Sequence, residues 1–184
     1  NVIEKNYYGD INNFDFIRKT LGESKPDIIF HLAAQPLVRR SYTDPLNTWQ
    51  TNLFGTIKLL EALRNYKKNN CALVVITTDK VYKNNEWNFG YRENDSIGGL
   101  DPYSASKSAV EIAVSSWNKS FFQNTKSISS NIRCATARAG NVVGGGDWSK
   151  DRLIPDAIRS LLKKETISIR NPTSSRPWQH VLEP

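Results

Sequence analysis

Three short apolar runs, separated by stretches with helical spacing, most constrain how this 184-residue chain can fold. The runs are DIIFHLAA (27–34), ALVVITTD (72–79) and NIRCATARAG (131–140). Continuous apolar runs of this length are typical of buried parallel strands. Their alternation with helical segments predicts an α/β fold with a doubly wound parallel sheet, covered by helices on both faces.

The helical segments carry their own start signals. Asp44 and Asp101 each precede a proline, which predicts an N-cap followed by proline at the first helical position. A short strand is also expected near Thr166–Arg170. The predicted helices run from Phe14 to about Gly22, from Asp44 to about Tyr66, from Asp101 to about Phe122, and around Leu153–Leu162.

Composition narrows the class of protein. The chain is 39% hydrophobic and 23% charged, and its apolar runs are far shorter than the roughly 20 residues that span a bilayer. We therefore expect no membrane partner and a cytoplasmic location. Cys71 and Cys134 are expected to be reduced thiols in or near the core. Because the chain begins with Asn and contains no Met, we expect it to be a piece of a longer protein.

The basic charge favours small anionic ligands over nucleic acid. The net charge is +7, but the basic residues are scattered, and no basic helix, zinc spacing or aromatic RNA signature accompanies them. GGGDW (144–148) lacks the Gly-Lys-Ser/Thr of a phosphate-binding loop. His31 and His180 are distant from each other and from cysteines, so no metal site is expected.

Reactive side chains stand where the second apolar run ends. Ligands of parallel α/β sheets bind outside the carboxyl ends of the strands. That edge is predicted to carry HLAAQ, TTDK and ARAGN, so Thr78, Asp79 and Lys80 lie where a site is expected. An ion pair at a strand end is the plainer interpretation of Asp79 and Lys80.

Tyr103 and Lys107 lie four residues apart near the start of a predicted helix, so they share one face. A phenol with a pKa near 10 is a poor base at neutral pH unless a neighbouring cation stabilises its phenolate. Lys107 is placed to do this. The motif alone is common, but a strand ending in Thr78 about 25 residues earlier makes it more specific.

This combination resembles the extended short-chain dehydrogenase/reductase family, and TTDKVY, GGLDPYSASK, ARAGNVVGGGDW and RPWQHVLEP resemble its nucleotide-sugar 4,6-dehydratases. The resemblance implies a Rossmann-like fold, tightly held NAD, and CDP-glucose as the substrate. The family's first βαβ unit, with its glycine fingerprint, and most of its C-terminal substrate lobe are expected to be missing. Residues 1–184 then form a partial NAD-binding domain, with the substrate-binding region starting at about 144. The fragment alone is expected to be inactive, and the parent protein is expected to be a homodimer.

The resemblance also implies residue roles. Tyr103, assisted by Lys107, would take the proton of the sugar 4-hydroxyl, and Thr78 would hydrogen-bond at that oxygen. Asp79 would protonate the departing 6-hydroxyl and Lys80 would remove the C5 proton, although the related dTDP-glucose enzymes carry Glu at the latter position. The implied cofactor residues, besides Tyr103 and Lys107, are Asp10, Ile11, Leu32, Ala33, Ala34, Thr51 and Val142. The implied substrate residues are Asn141, Arg152 and Arg176.

Other functions stay open from the sequence. A nucleotide-sugar 4-epimerase shares Tyr-x-x-x-Lys but needs no acid–base pair for elimination. A GDP-mannose dehydratase would differ in base recognition, and a non-catalytic relative would lack Tyr103 or Lys107. The aromatic loop around Trp87, Phe89 and Tyr91 is interpreted as a binding lid, a packing element or a subunit contact.

Overall fold

The structure, a computed structural model, describes residues 3–66, 70–123 and 131–184. The backbone forms two units, Asn1–Ala137 and Arg138–Pro184. The helices are α1 (Phe14–Ser24), α2 (Val38–Thr43), α3 (Pro45–Trp49), α4 (Gly55–Arg64), α5 (Pro102–Trp117) and α6 (Leu153–Leu162). The strands are β1 (Ile28–His31), β2 (Cys71–Ile76), β3 (Ile132–Ala137), β4 (Asn141–Val143) and β5 (Trp178–His180).

A parallel three-stranded sheet forms the centre of the first unit. Its order is β1-β2-β3, with Ile28 beside Ala72 and Cys71 beside Ile132. Because the strands are parallel, their carboxyl ends lie at one edge, as the sequence predicted. The predicted α/β architecture is confirmed for this unit.

The two faces of this sheet differ. On one face Leu73, Val75 and Ile132 are fully buried, in a core that also contains Leu60 and Phe122. On the other face the side chains of Ile28 and Phe30 are 59% and 65% exposed. The described helices of the first unit therefore bury one face of the sheet, and these two β1 side chains on its other face stay exposed.

Local sequence explains the helices that frame the site. Asp44 and Asp101 accept hydrogen bonds from the backbone N–H groups of Asn47 and Ser104, so both predicted N-caps are confirmed. The segment that follows Asp44 is not one regular helix. A π-helical turn over Gln50–Phe54 joins α3 to α4, and another, Asn118–Phe122, follows α5. Such turns are frequent at functional sites.

The second unit pairs β4 with β5 in parallel, and α6 lies between them in the chain. The predicted helix at 153–162 is confirmed, but the predicted strand at Thr166–Arg170 is wrong. An alternating pattern needs a neighbouring strand, and no described strand pairs with this segment. Instead Arg170 donates a hydrogen bond to Asp151, 3.2 Å away.

Both cysteines are free thiols, as predicted. Cys71 is buried at the start of β2, and burial raises the pKa of the Cys134 thiol on β3 to about 12. A thiol with such a pKa stays protonated and unreactive at neutral pH. Across the described ranges, none of the helices is both long and apolar enough to cross a bilayer.

Candidate active site

The chain turns sharply where β2 ends. Thr77 and Thr78 are buried, and Asp79–Val81 form a single 3₁₀ turn capped by Thr78. The Thr78 hydroxyl donates to Asp79 Oδ1 at 3.0 Å, and the Lys80 backbone N–H donates to Thr78 Oγ1 at 3.4 Å. The turn thus brings the Thr78 hydroxyl into contact with the Asp79 carboxyl and places Lys80 directly after them at the strand end.

Asp79 and Lys80 are half-buried, and no salt bridge joins their side chains within the described part of the chain. Direct pairing would hold both groups in their charged forms, which opposes acid chemistry by Asp79 and base chemistry by Lys80. The arrangement therefore favours separate roles for the two side chains over a structural ion pair.

Helix α5 carries the predicted tyrosine and lysine. Asp101 caps its first turn through both the backbone N–H and the hydroxyl of Ser104. Tyr103 and Lys107 are buried, and Lys107 Nζ donates to the carbonyl oxygen of Ile76 at 2.9 Å. Burial lowers the pKa of Lys107 to about 8, so its charge titrates close to neutral pH.

Hydrogen bonds fix α5 against the 3₁₀ turn. The Val81 carbonyl oxygen accepts from the Ser108 hydroxyl at 3.1 Å and from the Gly98 N–H at 2.8 Å. Gly99 passes so close to α5 that an added Cβ would collide with the backbone of Ser104. The structure therefore holds Thr78, Asp79 and Lys80 and the Tyr103–Lys107 helix in one rigid arrangement.

A buried polar network, absent from the sequence predictions, supports the other side of α5. Asn52, in the π-helical turn before α4, donates to Ser106 Oγ at 2.9 Å and to the carbonyl oxygen of Gln35 at 3.2 Å. It also accepts from the Gln35 backbone N–H at 2.7 Å. The network ties the segment after β1 to the helix that carries Tyr103. The sequence shows these polar residues after β1 and before α4, but it does not show which groups they join.

His31 is a second buried group that sequence reasoning gave no role. Its Nε2 lies 2.9 Å from Thr56 Oγ1. Burial, with a smaller contribution from the charge of Lys107, lowers the pKa of His31 to about 4. The imidazole is therefore neutral at physiological pH and acts as a hydrogen-bonding core residue rather than a proton donor.

Most of the residues predicted to bind the cofactor lie in the first unit. Leu32 and Ala33, directly after β1, are exposed, and Ala34 is half-buried. Thr51 lies in the π-helical turn, half-buried, with its hydroxyl 3.4 Å from Asn47 Oδ1. Leu32, Ala33 and Ala34 directly follow the carboxyl end of β1, where a ligand can approach the backbone.

Asp10 and Ile11 precede α1. The Asp10 side chain accepts from the Asn12 N–H at 2.8 Å, and Ile11 packs closely against Gly55, where an added Cβ would lie 2.9 Å from its side chain. Asn12 Oδ1 is buried without a hydrogen-bond partner among the described atoms. This segment therefore has an unsatisfied acceptor beside the two residues predicted to contact adenine.

The second unit contains the four remaining predicted residues. Asn141 and Val142 lie in β4, paired with Trp178 and Gln179 of β5. Arg152, the N-cap residue of α6, forms a salt bridge with Asp147 at 3.3 Å. Arg176 is exposed and donates to the carbonyl oxygen of Ser175 at 3.0 Å, a contact that an incoming anion can replace. Both guanidinium groups are accessible to an anionic ligand.

The fold and the strand-end site define a class, the Rossmann-like α/β proteins with Tyr-x-x-x-Lys on the helix that follows a central strand. Residues 4–183 match the family model described as GDP-mannose 4,6 dehydratase. The chain belongs to this family. The predicted resemblance to nucleotide-sugar dehydratases is thereby confirmed.

Two curated relatives illustrate the likeness. The chain is 50% identical over all 184 residues to the CDP-glucose 4,6-dehydratase of Salmonella typhimurium, of which it covers 51%. It is 33% identical over 130 residues to dTDP-glucose 4,6-dehydratase 1 of Escherichia coli, which is 62% of this chain and 36% of that protein. The chain thus spans about half or less of the length of these relatives.

Solved structures confirm the predicted Rossmann-like fold. DesIV, a dTDP-glucose 4,6-dehydratase from Streptomyces venezuelae crystallised with NAD, superposes with a TM-score of 0.79 at 24% identity, over 94% of this chain and 49% of that one. The UDP-glucuronic acid 4-epimerase of Bacillus cereus, in complex with UDP-glucuronic acid and NAD, gives 0.78 at 26% identity, over 94% and 50%.

Proposed function

We propose that the natural full-length protein containing this chain converts CDP-glucose to CDP-4-dehydro-6-deoxyglucose, with NAD as its cofactor. The observation that carries the proposal is the strand-end arrangement, in which Thr78, Asp79 and Lys80 are held against the helix of Tyr103 and Lys107. Elimination of water needs one group to donate a proton and another to accept one, and this arrangement offers both.

The residues that this chain contributes to the proposed NAD site are chemically suited to the cofactor. Asn12 Oδ1, a buried acceptor without a partner, is of the type that the exocyclic amine of adenine satisfies, and it lies beside Asp10 and Ile11. Leu32, Ala33, Ala34, Thr51 and Val142 are proposed to line the rest of the cofactor. Bound NAD would supply the redox chemistry, as a temporary acceptor for the hydride of sugar C4 that is returned to C6 after water has left while C5 regains a proton, so that the reaction is redox-neutral overall.

Tyr103 takes the proton of the sugar 4-hydroxyl as that carbon is oxidised. Lys107 makes this possible because its ammonium group stabilises the phenolate, while Thr78 hydrogen-bonds at the same sugar oxygen. The hydrogen bond from Lys107 Nζ to the Ile76 carbonyl oxygen holds the side-chain nitrogen in place at the strand end.

Elimination follows at the neighbouring carbons. A ketone at C4 acidifies the C5 hydrogen, which Lys80 removes as a base, while Asp79 protonates the 6-hydroxyl so that it leaves as water. Both side chains are half-buried and, within the described part of the structure, are not joined by a salt bridge, so each is left to act separately on the sugar. A 4-epimerase would have no use for this pair.

Substrate binding is proposed for Asn141, Arg152 and Arg176. A guanidinium group binds a diphosphate through paired hydrogen bonds in one plane, so two arginines suit the anionic part of a nucleotide sugar. The choice of CDP-glucose among nucleotide sugars is supported by the identity to the Salmonella enzyme along the whole chain. The homodimer, the cytoplasmic location and the inactivity of the isolated fragment stay predictions.

The test is turnover by the full-length protein. Incubation with NAD and CDP-glucose is expected to produce a 4-keto-6-deoxy sugar, detected by its absorbance in alkali and by a mass loss of one water. UDP-glucose, dTDP-glucose and GDP-mannose serve as matched substrates and are expected to react at least about tenfold more slowly in kcat/KM. Absence of the keto sugar from CDP-glucose, or epimerisation of UDP-glucose without dehydration, would overturn the proposal.

A further inference from the structure

A buried glutamate on α5 connects the active-site helix to the ends of two strands. Glu111 lies one helical turn after Lys107, and its side chain is 6% exposed in the first unit. Its Oε1 accepts a hydrogen bond from the Thr77 hydroxyl at 2.6 Å, and its Oε2 accepts one from the Thr136 hydroxyl at 2.8 Å. One carboxyl group thus joins residues from β3, from the end of β2 and from α5.

The two threonines lie at the same edge of the sheet, Thr77 directly after β2 and Thr136 within β3. Thr77 directly precedes Thr78, and its backbone N–H donates to the carbonyl oxygen of Ala137, the residue after Thr136. The Thr77 hydroxyl also lies 3.3 Å from that oxygen. Glu111 therefore contacts the chain directly after β2, immediately before the turn that contains Asp79 and Lys80.

Two successive turns of α5 hold two successive residues of the strand end. Lys107 Nζ donates to the carbonyl oxygen of Ile76, and Glu111 accepts from the side chain of Thr77. The two contacts oppose both sliding of the helix along the strand end and rotation against it. They therefore connect the helix of Tyr103 to the residues that directly precede the Thr78–Lys80 turn.

Packing alone does not require a carboxyl group at this position. Burying an ionisable group costs several kcal/mol unless hydrogen bonds compensate, and an apolar side chain would fill the same space at lower cost. What the carboxyl adds is direction, since each oxygen selects one hydroxyl on one strand. Directional contacts matter most where misplacement by about 1 Å lowers a rate by about 100-fold.

We propose that Glu111 is a positioning residue which, through Thr77, sets the place of the Thr78–Asp79–Lys80 turn relative to Tyr103. This inference rests on the proposed dehydration. The link to Thr77 carries the effect on the reaction, whereas the link to Thr136 secures the neighbouring strand. The two threonines therefore make a matched pair, because Thr→Val removes one hydroxyl from each without changing the shape of the side chain.

The experiment measures kcat and KM for CDP-glucose in the full-length protein. Thr77→Val is expected to lower kcat by about 30-fold with KM changed less than about twofold, and Glu111→Ala by a similar factor, because both misplace the turn without altering the nucleotide contacts. Thr136→Val is expected to lower kcat by less than about threefold. Glu111→Gln should also stay within about threefold, because its amide can accept from Thr77 and donate to Thr136.

A purely structural role would give a different pattern. If Thr77→Val and Thr136→Val lost kcat equally, or if Thr77→Val stayed within about threefold of the parent, the proposal would be overturned. Thermal unfolding of each variant accompanies the kinetics. Loss of kcat that follows the unfolding midpoint across all four variants would likewise count against positioning.

Hydrogen exchange provides a readout that needs no turnover. Backbone amides over residues 77–82 are expected to exchange faster in Thr77→Val than in Thr136→Val, because only the former frees the strand end from α5. Equal exchange in the two variants would overturn the inference. If the unaltered protein showed no dehydration, the proposed function would fail, while the exchange comparison would still decide whether Glu111 positions this turn.

Discussion

The two units of the chain differ in the burial and the hydrogen-bond partners of their polar side chains. In the first unit Lys107, Glu111 and Asn52 are buried, and each has assigned partners on neighbouring elements. In the second unit every residue from 161 to 184 is exposed, and Arg152 forms a partly exposed salt bridge with Asp147.

This difference matches two kinds of chemistry. Proton transfer depends on fixed distances and shifted pKa values, which burial supplies. Binding of an anionic substrate depends on accessible cations, which can exchange a weak surface contact for the ligand. We expect changes in the first unit to act on catalysis and stability, and changes in the second unit to act on substrate affinity.

The largest expected effect is a loss of activity in alkali. Because the pKa of Lys107 is about 8, the lysine loses its charge above that pH and no longer stabilises the phenolate of Tyr103. The rate of the proposed dehydration at saturating CDP-glucose is expected to fall about tenfold per pH unit above pH 8. At pH 10 it is expected to be about one hundredth of its value at pH 8. A rate that stays constant up to pH 10 would contradict this role of Lys107.

The contribution of Lys107 to the stability of the protein is expected to change in the opposite direction over this range. The folded-state pKa of Lys107 lies below its unfolded value of 10.5, so between these values the unfolded chain binds more protons than the folded one. The contribution of Lys107 to the free energy of unfolding therefore rises with pH from about 8 to 10.5. Denaturant unfolding at each pH separates loss of the charge from loss of the fold.

The next effect compares a buried leucine with an exposed one. Leu60 is fully buried in the core of the first unit, whereas Leu162 in α6 is 73% exposed. Leu60→Ala is expected to lower the free energy of unfolding of the first unit by about 3 kcal/mol, and Leu162→Ala by less than about 0.5 kcal/mol. Denaturant titration of the full-length protein measures both, and equal losses would contradict the contrast between the units.

The smallest effect concerns the exposed arginine at position 176. Arg176→Ala is expected to raise KM for CDP-glucose about tenfold, with kcat changed less than about threefold, because it removes binding shared by the substrate and the transition state. Arg18→Ala on α1 removes the same charge from an exposed position and is the control, with KM unchanged within about twofold. A fall in kcat with constant KM would place Arg176 in the chemistry instead.

The sequence predicted the parts of the fold that local signals determine. The apolar runs and the Asp-Pro caps identified the three central strands and the starts of α3 and α5 correctly. The strand expected at Thr166–Arg170 failed because alternation shows only that a segment could pair, not that a partner strand is present. The pairing of β4 with β5 was missed for the same reason, since three-residue strands give no periodic signal.

The site shows the same limit. Tyr103 and Lys107 could be predicted because their spacing on a helix is a local property. The contacts of Glu111 and Asn52 could not, because they join residues far apart in the chain. Asn52 bonds Gln35 and Ser106, which are 17 and 54 residues away, and Glu111 bonds Thr77 and Thr136, which are 34 and 25 residues away. Buried polar side chains become informative only when the structure shows which groups they join.

We propose that residues at the end of β2 carry out the elimination, whereas α5 provides the group for the first proton transfer. The most direct test incubates full-length variants with CDP-glucose and NAD in D₂O and measures deuterium at C5 of the recovered sugar. Asp79→Asn is expected to form little product yet to return substrate with deuterium at C5, because Lys80 still removes that proton after Tyr103 has acted. Tyr103→Phe and Lys80→Ala should return unlabelled substrate. Product formation by Asp79→Asn at the parent rate, or equal deuterium uptake in Lys80→Ala and Asp79→Asn, would contradict these roles of Asp79 and Lys80.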